Sequence, residues 1–163
     1  GQLPLFYNHL NTGRPDPDSR MFNRYASNYL DESNEPLYPF GYGLSYTDFV
    51  YGELQISSET LPKNGELTVS VTVTNKGNYD GYETVQLYLR DIYAEVARPM
   101  KELKGFERIF LKSGESRDVK FVITKDDLKF YNSELHYVYE PGEFDVMVGP
   151  NSRDVQTKSF QAE

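Results

Sequence analysis

The chain has 163 residues, with 17 basic against 25 acidic side chains and a formal charge of −8, a length that suits one domain or one domain with an arm. Its 38% hydrophobic and 26% charged content excludes a wholly disordered acidic tail, and the absence of cysteine excludes disulfide frameworks, thiolate nucleophiles and cysteine-ligated metals. Negative charge without a lysine or arginine run argues against nucleic acid as a partner. No apolar run nears the roughly 20 residues that cross a bilayer, and the first residues lack the layout of a signal peptide, so no membrane partner is expected.

In chain order, the opening reads as one apolar strand from Leu3 to Tyr7 and then a turn-rich stretch from Asn11 to Ser19, where Pro15 and Pro17 forbid continuous pairing. Next comes Tyr38-Pro39-Phe40-Gly41-Tyr42-Gly43-Leu44-Ser45-Tyr46, aromatic and broken by glycine. Side chains of this kind bury large areas once they meet a surface, so the segment is expected to pack onto a partner domain or onto the body. Five of the nine prolines fall before Phe49. The composition therefore divides an arm over 1–48 from a body over 49–163.

The body alternates apolar and polar residues between turn signals. Leu67, Val69, Val71 and Val73 are expected on one face, with Thr68, Ser70, Thr72 and Thr74 on the other. Asn64-Gly65 and Asn75-Lys76-Gly77 flank this strand as turns expected to use positive backbone dihedrals. Further strands are predicted over Thr84 to Arg90 (Val85, Leu87 and Leu89 inward), Gly105 to Leu111, Asp118 to Ile123, Leu135 to Glu140 and Gly142 to Val148, the last two facing each other across Pro141-Gly142. A single helical turn fits Lys125 to Tyr131, capped by Thr124, with Asp126 and Asp127 in its favourable first turn. About seven short strands without a sustained helical period predict an all-β, immunoglobulin-like or fibronectin type III-like antiparallel sandwich, preceded by an extended, mostly irregular N-terminal arm.

Chemistry is sparse. Asp80, Glu83, Glu115, Asp118 and Glu143 sit in turns and on polar strand faces, where the solvated-surface reading is favoured over a catalytic carboxylate pair. Asp16-Pro17-Asp18 reads as a turn, because a calcium loop would need Gly where Met21 stands and Glu where Ser27 stands. Gly41-Tyr42-Gly43-Leu44-Ser45 fits neither a dinucleotide fingerprint nor a nucleophile elbow, since Tyr46 and Thr47 replace the required glycines. His9 and His136 lack metal-ligand or triad spacing and read as packing or surface residues. No catalytic residue, metal or cofactor is therefore expected. Tyr79, Tyr82, Tyr93, Tyr131 and Tyr137 could stack sugars in a stand-alone carbohydrate-binding or adhesion module. The plainer reading is core and edge packing, since tyrosine suits half-buried strands and tryptophan is absent.

Two groups of segments resemble family 3 glycoside hydrolases. Leu3-Pro4-Leu5-Phe6-Tyr7-Asn8-His9-Leu10-Asn11-Thr12-Gly13-Arg14-Pro15, Tyr29-Leu30-Asp31 and Leu37 to Thr47 resemble the end of the second catalytic-core domain of that family. Val71 to Gly77, Gly81 to Leu89, Arg98-Pro99 with Lys101 to Phe106, and Pro141 to Phe144 resemble its closing fibronectin type III-like domain. The resemblance covers nearly the whole chain and leans to bacterial periplasmic β-glucosidases. It implies a C-terminal accessory domain whose parent removes terminal non-reducing β-D-glucosyl residues by a retaining mechanism. Both catalytic carboxylates would lie upstream of Gly1.

The resemblance further implies that the partners are the upstream catalytic domains of the same polypeptide, with oligosaccharide met only through the parent and a periplasmic or secreted address. Tyr38, Phe40, Tyr42 and Tyr46 are the expected docking residues. In a further reading, the long Asp91 to Met100 loop, with Ile92, Tyr93, Val96 and Met100 as its substrate-side residues, reaches back toward the parent active site and shapes its outer subsites. An orphan strand at Leu3 to Tyr7 would pair with another chain, giving arm-mediated self-association, or lie against the body.

Overall fold

A computed structural model of the chain describes residues 6–11 and 33–163. The Asp16-Pro17-Asp18 turn, Tyr29-Leu30-Asp31 and most of the expected opening strand lie outside the described residues. Phe6 and Tyr7, the described end of that strand, are not extended in a sheet.

In chain order the elements are β1 (Phe49–Tyr51), β2 (Gln55–Ile56), β3 (Thr60–Leu61), β4 (Leu67–Asn75), β5 (Gly81–Asp91), β6 (Glu102–Leu111), β7 (Ser116–Ile123), α1 (Lys125–Leu128), β8 (Phe130–Tyr131), β9 (Tyr137–Val138), β10 (Gly142–Gly149) and β11 (Gln156–Ala162). In one sheet β4 is central, with β7 antiparallel on one edge and β1 and β2 end to end on the other. The second sheet runs β3-β11-β10-β5-β6, antiparallel except where β3 joins β11. The chain thus starts on one sheet and crosses to the other between β2 and β3, while Leu54, which links β1 to β2, is buried in the core.

Alternation dictates this packing. Leu67, Val69, Val71 and Val73 of β4 and Val119 and Ile123 of β7 face Val85, Leu87 and Leu89 of β5, Ile109 and Leu111 of β6, and Phe144, Val146 and Val148 of β10 across one core. On the solvent side of β4, the Thr72 hydroxyl donates to Asp118 Oδ1 at 2.6 Å and Thr74 pairs with Ser116 at 2.8 Å.

Several local expectations are corrected. Leu135 to Glu140 and Gly142 to Val148 do not form a hairpin: β9 pairs only with β8, while β10 pairs with β5 and β11. Leu135 adopts φ 63°, closing a turn on Asn132, and that left-handed backbone cannot begin a strand. The helical turn ends at Leu128, because Lys129 is already extended and Phe130 enters β8; its Thr124 cap and Asp127 do form a capping box. Neither Gly65 nor Gly77 has a positive φ, which among the described residues occurs only at Gly41, Gly114 and Leu135. Gly77 is needed for closeness instead: a Cβ there would stand 2.2 Å from Thr47 Oγ1. β11 was not anticipated, since only Phe160 and Ala162 of its seven residues are apolar and buried.

Candidate functional site

The outward face of β5 carries a surprise for alternation. Gln86 and Tyr88 point away from the core, yet both are buried, as is Met147, the cross-strand partner of Tyr88 on β10. The arm covers them. Tyr7 lies edge-on to Tyr88 at 6.0 Å and stacks on Phe40 at 4.2 Å. Buried polar groups need partners, and here the Gln86 amide donates to the Gly41 and Pro150 carbonyls at 3.2 and 2.6 Å while its oxygen accepts from the Tyr88 hydroxyl. Burial, and secondarily the neighbouring Tyr7, pushes that hydroxyl up to about 12. Gly41 permits the approach through its φ of +80° and its missing side chain, since a Cβ would stand 2.1 Å from Gln86 Oε1.

Backbone bonds fasten the arm to the loops that follow β5 and β10. Ser152 N–H donates to the Phe40 carbonyl at 2.9 Å, Met100 N–H donates to the His9 carbonyl at 2.8 Å, and Leu10 bridges Pro99. Where the arm enters the body, the Thr47 hydroxyl donates at 2.6 Å to Asn75, which is fully buried and also bonds the Tyr79 and Leu111 carbonyls. A cavity of about 520 Å³ remains beside the arm, lined by Phe6, Glu35, Tyr38, Phe40, Lys101 and Arg153. Burial lowers the Lys101 ammonium, which donates to the Ser152 carbonyl.

The four expected docking residues keep much of their surface bare. Tyr38 is 69% exposed, Phe40 46%, Tyr42 40% and Tyr46 97%. The fold brings Tyr38 and Tyr42 together at 5.4 Å and seats Phe40 on Tyr7, whereas Tyr46 stands apart, anchored only through its buried neighbour Thr47.

The 91–100 loop is held at its base. Arg98 lies 2.7 Å from Glu102 and 3.7 Å from Asp91, with its guanidinium over the Phe130 ring at 4.5 Å. Burial raises the Asp91 carboxyl, and nearby Arg98 offsets only part of that. Farther along, Glu95 accepts from Ser133, and its own N–H donates to Glu140 at 3.2 Å, tying the loop to the β8-β9 turn and its exit. Of the expected substrate-side residues, Ile92, Val96 and Met100 are half-buried packing residues and Tyr93 alone is displayed.

Among the acids, Glu83 departs from the surface reading. It points into the sandwich end and accepts from the Tyr51 hydroxyl at 2.8 Å, and burial raises its carboxyl despite that bond. Glu83 and Asp91 are the two acids among the described residues that burial displaces upward; Glu83 is committed to Tyr51 by a hydrogen bond, whereas Asp91 meets Arg98 only at ion-pair distance, 3.7 Å. His9 is exposed with its Nδ1 2.9 Å from the Leu10 carbonyl, and His136 is exposed beside Glu134. Of the five tyrosines weighed as a sugar platform, Tyr131 and Tyr137 pair with one another, their rings tilted at 44°. Tyr82 instead pairs with Phe110 and is covered by the Arg108 guanidinium at 3.9 Å.

Sequence reasoning missed Gln86, Tyr88 and Asn75. A glutamine and a tyrosine on an outward strand face carry no mark of burial. Asn75 reads as an ordinary turn residue, and only its position directly before Lys76-Gly77 hinted at a special role.

Known proteins agree with this architecture. Residues 83–152 match the fibronectin type III-like domain family. The chain is 49% identical over 161 residues to a periplasmic β-glucosidase of Salmonella typhimurium, covering 99% of this chain and 21% of that protein. It is 47% identical to a putative β-xylosidase of Formosa agariphila, covering 99% of this chain and 20% of that one. The crystal structure of β-glucosidase from Listeria innocua in complex with glucose superposes with a TM-score of 0.88 at 44% identity, over 98% of this chain and 22% of that chain. The chain thus spans about a fifth of the length of the relatives it matches. It belongs to the family 3 glycoside hydrolases as a fragment, the C-terminal segment that carries their fibronectin type III-like domain.

Proposed function

We propose that this segment is the non-catalytic structural cap of a β-glucosidase that hydrolyses terminal non-reducing β-D-glucosyl residues, with both catalytic carboxylates in the part of the polypeptide that precedes it. In this reading residues 1–48 are the tail and linker of the adjoining catalytic domain, and residues 49–163 are the cap. The observation that carries it is the arm: its backbone is bonded to the loops after β5 and β10 and to Gln86 of β5 while Tyr38, Phe40, Tyr42 and Tyr46 keep much of their surface uncovered, as a surface prepared for a neighbour would be.

The names of the relatives divide between glucosidase and xylosidase at nearly equal identity, so likeness in this segment does not sort the sugar. The periplasmic name of the Salmonella relative supports a periplasmic or secreted address. Tyr93, displayed on a loop braced by Arg98, supports a finer reading in which the 91–100 loop borders the outer subsites of the parent. Exchanging that loop then changes chain-length preference, and unchanged preference removes it from the substrate side.

The central test assays hydrolysis of an aryl β-glucoside by this chain alone and mixed with a separately expressed catalytic portion. The expected result is no turnover alone, with activity or heat resistance recovered on mixing. Turnover by the chain alone overturns the reading. In the full polypeptide, Phe40→Ala with Tyr42→Ala is expected to lower the unfolding temperature before substrate preference changes, and an unchanged melting curve rejects docking through the arm.

A further inference from the structure

The arm covers only part of the outer face of the second sheet. Beyond it, the outward residues of β5 and β6 form a cross-strand ladder in which Tyr82 pairs with Phe110, Thr84 with Arg108 and Gln86 with Phe106. Gln86 lies under the arm, but Tyr82 is 54% exposed and Phe106 67%. A groove of about 290 Å³ between the arm and β5, lined by Tyr42, Leu44, Tyr82 and Thr84 among others, makes the ladder and the bare arm residues one continuous surface.

An outward face meant for water is furnished differently in the same molecule. β4 presents Thr68, Ser70, Thr72 and Thr74 to solvent. β6 presents Phe106, Arg108 and Phe110, a mixture of aromatic and arginine side chains that typifies the buried centre of interfaces. Arg108 over the Tyr82 ring already occupies the face on which a sugar would stack. A protein surface therefore fits the ladder better than a glycan.

We infer that the β5-β6 ladder is a second docking surface, covered by the catalytic portion of the same polypeptide. This rests on the cap reading above and extends it from the arm onto the sheet. About four-fifths of the length of the matched relatives lies outside the segment they share with this chain, and the arm that the cap reading joins to that portion crosses this face. A body of that size seated on the arm reaches the ladder across the shared groove.

The test compares hydroxyl-radical labelling of Tyr82, Phe106 and Phe110 in the full polypeptide and in this chain, with Tyr38 and Phe40 as arm reporters. The expected result is a labelling rate at least five-fold lower for the ladder in the full polypeptide. The double variant Phe106→Thr with Phe110→Thr, whose β-branched side chains suit a solvent-facing strand as they do in β4, is expected to lower the melting temperature of the full polypeptide by more than that of this chain, which loses only the Tyr82–Phe110 contact; equal lowering of the two overturns the inference. Equal ladder labelling with a protected arm overturns this inference and leaves the cap reading standing. Equal labelling of both overturns both. Protection that appears in this chain alone and rises with its concentration overturns the inference in favour of a second copy, and protection that requires added oligosaccharide overturns it in favour of a glycan site.

Discussion

β4 and β5 are interior strands, one in each sheet, and both send alternate apolar residues into one core, yet their outer faces differ. On β4 the outward residues Thr68, Ser70 and Thr72 are half-buried or exposed hydroxyl side chains, and Thr72 donates to Asp118 of β7. On β5 every residue from Val85 to Leu89 is buried, because the arm roofs Gln86 and Tyr88. An outward strand face is thus polar either because it meets water or because its polar groups are spoken for by another segment. The two cases respond differently to truncation.

The largest expected effect comes from Tyr88→Ala, which removes a fully buried ring and leaves Gln86 Oε1 without its donor. A loss of about 3 kcal/mol is expected in urea unfolding of this chain. The matching change on β4, Thr72→Ala, is expected to cost less than about 1 kcal/mol. Equal losses would show that the arm does not roof β5 in solution.

A sharper probe is Gly41→Ala, which combines a left-handed backbone with a Cβ that would press on Gln86. It is expected to cost about 2 kcal/mol. Gly43→Ala, two residues away in open space, is expected to change stability by less than about 0.5 kcal/mol. Similar values for the two would place Gly41 in the exposed part of the arm.

The smallest effect concerns the sheet end, where β1 meets β5 through Tyr51 and Glu83. Burial holds the Glu83 and Asp91 carboxyls above their ordinary range, so the folded chain keeps protons that the unfolded chain has released. Stability from these groups therefore falls as pH rises from the ordinary carboxylate range through their raised values, and the penalty persists at neutral pH. Glu83→Gln keeps an acceptor for Tyr51 and is expected to raise stability at pH 7 by under about 1 kcal/mol, because the carboxyl retains some solvent contact. It also flattens the melting temperature between pH 4 and 7, roughly the range in which carboxyls of this kind titrate. A variant less stable than the parent at pH 7 would show that the charged carboxylate strengthens the Tyr51 bond by more than its burial costs.

The body strands were legible wherever alternation was strong. Leu67 to Val73 and Val85, Leu87 and Leu89 announced their inward faces, and Thr124 with Asp127 announced a cap. Legibility failed for β11, whose polar residues dilute the pattern, and for the β8-β9 turn, where the left-handed Leu135 looks like an ordinary strand residue in one dimension. In the candidate site, the arm residues were legible as a dense aromatic run. Their receiving surface was not, because Gln86, Tyr88 and Asn75 acquire their roles from residues far along the chain, Asn75 from Thr47, Gln86 from Gly41 and Pro150, and Tyr88 from Tyr7.

By itself the sequence determined an all-β sandwich, the inward face of each long strand, an arm rich in proline and aromatic residues, and a resemblance to family 3 glycoside hydrolases. These follow from local periodicity, side-chain chemistry and motif spacing, which a linear reading carries in full. The tertiary structure decided which outward face is roofed and which is bare, that Arg98 braces the 91–100 loop, and that Arg108 lies over Tyr82. Those outcomes depend on which distant segments share a surface, and the energy of covering a residue resides in its cover as much as in the residue.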